Sequence, residues 1–443
     1  MSHPLDDDGI VATLSPSERF SKPNLPSRIL TMRLLLMTVA LGLFSASSLS
    51  AADWTQWRGP NHNNVADRGQ TVPTSWGAAK NVAWKVSVPG RGHSSPIAVG
   101  DLIVLTSADE QGQQQGVFAF DRRNGKLDWG TAISKGGFPK LHSKNTHASS
   151  TACSDGQRIY ATFNHHNKIE AVALDMAGKI VWKQDVGNFV PKRYQYGYAA
   201  APTLYQGKLI VSGDSDTVAW VKALDTKSGR VAWQQNRPQK LNWSSPIVAN
   251  VAGKDQLLIS GSEMIASYDP VTGKPLWSQP CLTMATCGTV VWDNDTIYAS
   301  GGYPKKQTVA VKADGSGEIL WSNTVKCYEQ SMLIHDGHLY LIDDGGIAFC
   351  FHAKSGREMW KTRLQGPISA SPVLVGDTIY ASNERGTTFV FKANPQRFEP
   401  IAQNQLGSES FATPTVVDNR ILLRVATGNG ANRKETLYAI GSK

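Results

Sequence analysis

The chain has 443 residues and a formal net charge of +9; 18% of the residues are charged and 40 are glycine. It shows no heptad pattern and no long run of like charges, which excludes a coiled coil and a highly charged disordered chain. This composition is typical of a globular β-protein, and the basic balance favours anionic surfaces or polysaccharide as partners.

The first 52 residues divide into two segments that precede the repeats. Residues 1–31 are polar, contain prolines and show no pattern, so we predict a disordered extension or a mis-assigned start, with translation beginning at Met32. Residues 32–52 have a basic start, an apolar run and small residues before Asp53, which is the layout of a secretory signal peptide. The run is too short for a transmembrane span. We therefore expect an exported protein, periplasmic or extracellular, without a transmembrane span.

A hairpin pattern recurs along residues 84–443, after a predicted N-terminal arm at residues 53–83. In each copy a strand ends at a small polar residue, usually Asp, a turn with glycine follows, and a second strand carries Trp. The carboxylate can accept hydrogen bonds from the N–H groups of the turn, and glycine supplies the positive φ that closes it. The copies run from Asp121 to Trp129, Asp175 to Trp182, Asp225 to Trp233, Asp269 to Trp277, Asp314 to Trp321 and His352 to Trp360.

A second signature, a small or hydroxyl residue before β-branched residues, marks the start of another strand upstream of each hairpin. It occurs eight times, at Ser95-Pro96, Ser150-Thr151, Ala201-Pro202, Ser245-Pro246, Gly288-Thr289, Ser331-Met332, Ser371-Pro372 and Thr413-Pro414. A third strand of the type seen from Gly376 to Tyr380 lies between the two signatures, which gives four strands per unit. The seven repeat tryptophans, Trp84 and those of the six hairpin copies, are 39 to 53 residues apart, the period of radially repeated four-stranded sheets.

The sequence therefore predicts an all-β fold, an eight-bladed β-propeller of four-stranded antiparallel blades. The last strand, Leu437 to Ile440, has no partner after it. We expect it to pair with Trp84-Lys85-Val86 and close the ring, which would remove an exposed sheet edge. The repeated tryptophans are interpreted as wedges between neighbouring blades.

These repeats carry a family resemblance. The pattern Ala-x-Asp-x-x-Thr-Gly-x-x-x-Trp resembles the tryptophan-docking motif of eight-bladed propellers related to pyrroloquinoline quinone dehydrogenases, the quinoprotein alcohol dehydrogenase-like proteins. The segments Trp54 to Pro60 and Arg91 to Pro96 are similar to the start of a secreted bacterial subgroup of such quinone-repeat-like propellers. The resemblance implies the fold for residues 84–443.

We expect any ligand on the face that carries the loops between blades and the loops between second and third strands. From Trp129 to Thr151 is 22 residues and from Trp182 to Pro202 is 20, whereas later equivalents span 11 to 13. The long loops combine cations with aromatic rings, which suit a planar or sugar-like anionic ligand; the alternative is a solvated loop packed by its own aromatics. The candidate ligand-binding residues are Arg91, His93, His142, Lys144, His147, Lys192, Arg193, Tyr196, Tyr198 and Trp243.

No catalytic motif or tight metal-ligand spacing occurs, so we expect neither catalytic residues nor a bound metal. The function predicted is a non-catalytic binding or assembly platform for a protein or an anionic polysaccharide, without nucleic acid and without a cofactor. The resemblance implies an alternative, a quinoprotein that binds pyrroloquinoline quinone with calcium and oxidises an alcohol or sugar. That family's adjacent cysteine pair is missing here. Bridges between Cys281 and Cys287, or Cys287 and Cys327, are possible.

Overall fold

A computed structural model describes residues 53–442, and the predicted extension and signal peptide lie outside these residues. The described part contains eight antiparallel sheets of four strands each. The first strand is β1 (Val82–Val88), which belongs to blade 8. Blade 1 contains β2 (Ile97–Val99), β3 (Leu102–Asp109), β4 (Gln114–Asp121) and β5 (Leu127–Lys135). Blade 2 contains β6 (Cys153–Ser154), β7 (Arg158–His165), β8 (Lys168–Asp175) and β9 (Ile180–Asn188).

The remaining blades repeat this order from the channel outward. Blade 3 contains β10 (Thr203–Tyr205), β11 (Lys208–Asp214), β12 (Ala219–Asp225) and β13 (Val231–Asn236). Blade 4 contains β14 (Ile247–Val251), β15 (Lys254–Gly261), β16 (Met264–Tyr268) and β17 (Pro275–Pro280). Blade 5 contains β18 (Val291–Asp293), β19 (Thr296–Gly301), β20 (Gln307–Lys312) and β21 (Ile319–Asn323).

Blades 6 and 7 have the same arrangement, and blade 8 is built from both ends of the described chain. Blade 6 contains β22 (Leu333–His335), β23 (His338–Ile342), β24 (Ile347–His352) and β25 (Glu358–Arg363). Blade 7 contains β26 (Val373–Val375), β27 (Thr378–Ser382), β28 (Thr387–Lys392) and β29 (Pro400–Gln405). Blade 8 contains β30 (Thr415–Val417), β31 (Arg420–Thr427), β32 (Lys434–Ile440) and β1, with a 3-10 turn at Gly430–Asn432.

The predicted fold class is confirmed, including the closure of the ring. Strand β1 is the outer strand of blade 8 and pairs antiparallel with β32, with Trp84 opposite Ala439 and Lys85 opposite Tyr438. Each inner strand begins within two residues of its predicted signature. In residues 53–442 no helix is long and apolar enough to cross a membrane.

The seven repeated tryptophans join seven of the blades to the next, as predicted, and the outer strand of blade 7, β29, carries no tryptophan. Trp233 is 9% exposed, and a Cβ added to Gly273 would lie 2.5 Å from its ring. The φ of +76° at Gly273 also requires glycine. Several indole N–H groups donate to a carbonyl of the next blade, as in Trp129 to Met176, Trp182 to Thr226, Trp233 to Pro270, Trp321 to Ala353 and Trp360 to Asn394.

The hydroxyl residues of the strand-start signatures form a second connection, around the central channel. At six of the blade junctions a backbone N–H donates to the hydroxyl of the next blade's signature, at 2.9 to 3.3 Å. We call these hydroxyls the hydroxyl belt. The donor and acceptor pairs are Ser95 to Thr151, Ala201 to Ser245, Ser245 to Thr289, Thr289 to Ser331, Ser331 to Ser371 and Ser371 to Thr413.

Candidate functional site

The N-terminal arm lies across the central channel. It contacts inner strands, or the residues just before them, in blades 1, 3, 6 and 7, so it passes from one side of the ring to the other. Trp57 of the arm is one of the residues that line a cavity on the loop face. The contacts join Trp54 to Ala98, His62 to Thr203, Arg58 to Met332 and Asn64 to Pro372.

Two basic side chains of the arm are buried in this position. Arg58 is 1% exposed and donates to the carbonyl oxygens of His62 and Met332. Burial lowers its pKa to about 9. Burial, together with the charge of Arg58, lowers the pKa of His62 to about 4. His62 is therefore neutral near neutral pH, and its Nε2 lies 3.1 Å from the Thr203 hydroxyl.

We expect His62 to make the fold acid-sensitive. Its folded-state pKa of about 4 lies below the unfolded value near 6.5, so the unfolded chain binds more protons as the pH falls. The contribution of His62 to the free energy of unfolding is thus fully present above pH 6.5 and is lost towards pH 4. The loss is roughly 1.4 kcal/mol per pH unit and reaches about 3 kcal/mol. Urea unfolding of wild type and His62→Gln between pH 7.5 and 4.5 measures this, and equal pH slopes for the two proteins would contradict it.

Above the arm, the loop face opens into a cavity of about 450 Å³. Aromatic rings form two of its walls. On one wall Tyr196 and Trp243 are stacked with ring centroids 5.7 Å apart, and His142 meets Tyr196 edge-on at 4.8 Å. On the other wall His93 is stacked on Phe411 at 4.3 Å. Ser95, Thr151, Ser245, Ser371 and Thr413, from the strand-start signatures, also line the cavity.

The charges at the cavity compensate one another. Lys144, on the long loop after blade 1, lies 2.6 Å from Glu384 of blade 7 and 3.8 Å from Glu329, which lies on the loop between blades 5 and 6. The Ser369 hydroxyl contacts both carboxylates. Burial raises the pKa of Glu329. Lys326 lies 2.5 Å from Asp344. Both lysines that line the cavity are thus already paired with carboxylates.

The rim of the cavity carries an exposed patch, formed by Arg193, Tyr194, Met284 and Tyr303. We call it the rim patch. Tyr303 is 51% exposed, and its ring meets Tyr194 edge-on at 6.0 Å. The Arg193 guanidinium lies 5.8 Å from the Tyr194 ring centroid and 3.6 Å from the Met284 sulfur. The carboxylate of Asp216 accepts the backbone N–H groups of Lys192 and Arg193, which holds this loop in place.

The structure brings together five of the ten candidate residues, since His93, His142, Lys144, Tyr196 and Trp243 all line the cavity. Lys192 and Arg193 are exposed at the rim. The other three candidates lie away from the cavity.

Each of these three residues has other partners. Arg91 lies 3.4 Å from Glu110. His147 is stacked on Phe138 at 3.9 Å, and burial with the charge of Arg91 lowers its pKa to about 4. Tyr198 is 7% exposed and donates to the Ser212 carbonyl, so it belongs to the blade core.

Sequence reasoning missed several residues of the cavity. Trp57 is not among the predicted ligand-binding residues, because its place in the cavity depends on where the arm runs. Tyr328, Glu329 and Lys326 lie on a short loop between blades 5 and 6, and loop length gave no signal for them. All five cysteines are free thiols, so neither possible bridge is present.

The family described as outer membrane protein assembly factor BamB matches residues 113–362, more than half of the chain. The chain belongs to this family. BamB of Bordetella pertussis is 22% identical over 413 residues, covering 90% of this chain and 95% of that protein. The tetrathionate hydrolase of Acidithiobacillus ferrooxidans is 22% identical over 292 residues, covering 60% of this chain and 54% of that protein.

Solved structures show the same fold at low identity. BamB from Moraxella catarrhalis has a TM-score of 0.57 and 15% identity, covering 80% of this chain and 98% of that chain. A europium-containing methanol dehydrogenase has a TM-score of 0.61 and 12% identity, covering 85% of this chain and 90% of that chain. The resemblance to quinoprotein-like propellers is therefore confirmed, and the prediction of a binding or assembly propeller is confirmed at the level of the family.

The cavity fits pyrroloquinoline quinone with calcium poorly. The quinone is a tricarboxylate and needs cations that are not already paired, whereas Lys144 and Lys326 are bound to Glu384 and Asp344. Glu329 faces the same space. Among residues 53–442 no group of three acidic, histidine or cysteine side chains is placed to hold a metal ion. We derive no reaction step through this cofactor.

Proposed function

We propose that this protein is an exported propeller that takes part in outer-membrane protein assembly by binding a partner polypeptide through its loop face. The rim patch is the observation that carries this proposal. Tyrosine and arginine are enriched among the residues that contribute most to protein–protein binding. Here Arg193 and Tyr303 are exposed side by side with Tyr194 and Met284, next to a cavity.

The patch is also held in shape before a partner binds. Asp216 fixes the backbone at Lys192 and Arg193, and Thr217 donates to the carbonyl of Val190 at 2.6 Å. A preorganised loop loses less conformational entropy on binding than a mobile one. The family membership supports the nature of the partner, because the family's description names outer-membrane protein assembly.

The proposal predicts that the loop face, and not the turn face, contacts an assembly partner in the cell. A photo-crosslinking amino acid at Tyr303 should give an adduct with an outer-membrane β-barrel or its assembly machinery, identified by mass spectrometry. The matched control is Lys227, an exposed residue in the turn between Asp225 and Gly229 on the opposite face. Equal adducts from both positions, or an adduct from Lys227 alone, would refute the proposal.

A substitution in the patch should then weaken that contact without unfolding the ring. We expect Arg193→Glu with Tyr303→Ala to reduce binding of the crosslinked partner at least tenfold, because two interface anchors are lost. The melting temperature should stay within about 2 °C, since exposed side chains contribute little to stability. The control substitutions Lys126→Glu, Lys179→Glu and Arg230→Glu on the turn face should leave binding intact. An equal loss in the control would mean that only net charge matters.

A further inference from the structure

We infer that the cavity binds a neutral, hydroxyl-rich ring compound, the end of a carbohydrate chain. This goes beyond the proposed protein partner, which is assigned to the rim patch at the mouth of the cavity, where Tyr194 and Tyr303 also line it. The inference rests on three properties of the cavity: the hydrogen-bonding groups of the hydroxyl belt, the aromatic walls and the pairing of its lysines with carboxylates.

Four hydroxyls of the belt line the cavity and have a proton left to donate. Thr151, Ser245, Ser371 and Thr413 each accept a backbone N–H from the preceding blade. Within residues 53–442 none of their O–H groups has an acceptor. A buried donor without an acceptor carries a free-energy penalty. An apolar side chain inserted here would impose that penalty, whereas ligand oxygens would remove it.

The walls offer flat surfaces to a ring. The stacked pair of Tyr196 and Trp243 forms a platform, and the Trp243 N–H is fixed by a 2.9 Å hydrogen bond to the Gly197 carbonyl. Trp57 adds an indole to the lining. Aromatic faces pack well against the C–H face of a pyranose ring while the sugar hydroxyls point to the sides. Tyr196 and Trp57 are only half-buried and can be contacted.

The charges favour a neutral ligand. Lys144 and Lys326 are paired with Glu384 and Asp344, and Glu329 lines the cavity 3.8 Å from Lys144. Among the described residues that line the cavity, an anion would meet Glu329 and two lysines that are already paired, and a cation would meet Lys144 and Lys326. An uncompensated charge in a partly dry site is costly. Neutral hydroxyls, in contrast, can bond to both the paired lysines and the carboxylates.

The size of the cavity is also suitable. Its volume of about 450 Å³ lies in the range of roughly 300–1,000 Å³ usual for small-molecule sites. Because the N-terminal arm lies across the channel beneath the cavity, a chain enters from the loop face with its end first. The cavity therefore suits the terminal residues of an oligosaccharide better than the middle of a long one.

The test titrates the purified protein with maltotriose, cellotriose and tri-N-acetylchitotriose, and with trigalacturonate and the peptide Phe-Phe-Phe as charged and apolar comparisons. Tryptophan fluorescence and calorimetry report binding. We expect saturable binding of at least one neutral trisaccharide, at least tenfold tighter than trigalacturonate or the peptide. Absence of binding by all three neutral sugars up to 10 mM, or tighter binding of trigalacturonate or the peptide, overturns the inference.

Two variants locate the site. Tyr196→Ala should weaken binding of the neutral sugar at least tenfold, and Glu329→Gln, which keeps the shape of the side chain, should change it at least threefold. Tyr205→Ala is the matched control, since Tyr205 ends the inner strand of blade 3 on the turn face. Melting curves identify any variant that fails to fold. Unchanged affinity in both folded cavity variants places the sugar elsewhere and overturns the assignment.

Discussion

Replacing Trp233 by alanine is expected to lower the free energy of unfolding by about 3–5 kcal/mol, as for other buried aromatic truncations. The indole is 9% exposed, packs on Gly273 of the next blade and donates to the Pro270 carbonyl at 3.3 Å. Its loss leaves a cavity between blades 3 and 4 that the backbones of the two blades cannot shift to fill. Urea unfolding followed by circular dichroism measures the change.

The control for Trp233 is its neighbour on the same strand. Gln234 is exposed, so Gln234→Ala should change the free energy of unfolding by less than about 0.5 kcal/mol. A similar loss in both variants would show that strand β13 itself, and not the inter-blade wedge, determines the effect.

Replacing Asp214 by alanine is expected to lower the free energy of unfolding by about 3–5 kcal/mol, because it leaves a buried cation unpaired. Arg237 and Asp214 both have fully buried side chains, with Arg237 Nε 2.9 Å from one carboxylate oxygen and 3.0 Å from the other. Burial opposes the charged guanidinium, but Asp214 and Tyr268 more than offset it and raise the pKa of Arg237. The same measurement of urea unfolding applies.

Replacing Asp214 should also change the surroundings of Trp243 at the candidate site. Asn242 donates to Asp214 at 3.1 Å and directly precedes Trp243 of the cavity wall. We expect Asp214→Ala to shift the fluorescence of the folded protein as well as its stability. The control is Asp377→Ala, which removes an exposed pair with Lys392 and should cost about 0–1 kcal/mol. Equal losses in the two variants would contradict the argument from burial.

The sequence predicted the fold well because the signals are local. Each hairpin turn depends on residues within one segment, such as Asp269 and Gly273, and the eight strand-start signatures define the number of blades. The candidate site was predicted only in part, because its charges pair over long distances. Lys144 pairs with Glu384, which lies 240 residues later in the sequence, and no repeat or spacing indicates that contact. Tyr198 lies in a long loop by sequence but returns to the core.

Pairing of β1 with β32 has a consequence for how the protein folds. Blade 8 takes its outer strand from Val82–Val88 and its other three strands from the far end of the chain. During synthesis β1 therefore has no partner until the segment Lys434–Ile440 has emerged. Until then β1 has an unpaired edge that can join to another chain. Such a long-range contact forms slowly, so the last step of folding is also the one most exposed to aggregation, and a chaperone that covers β1 would protect it.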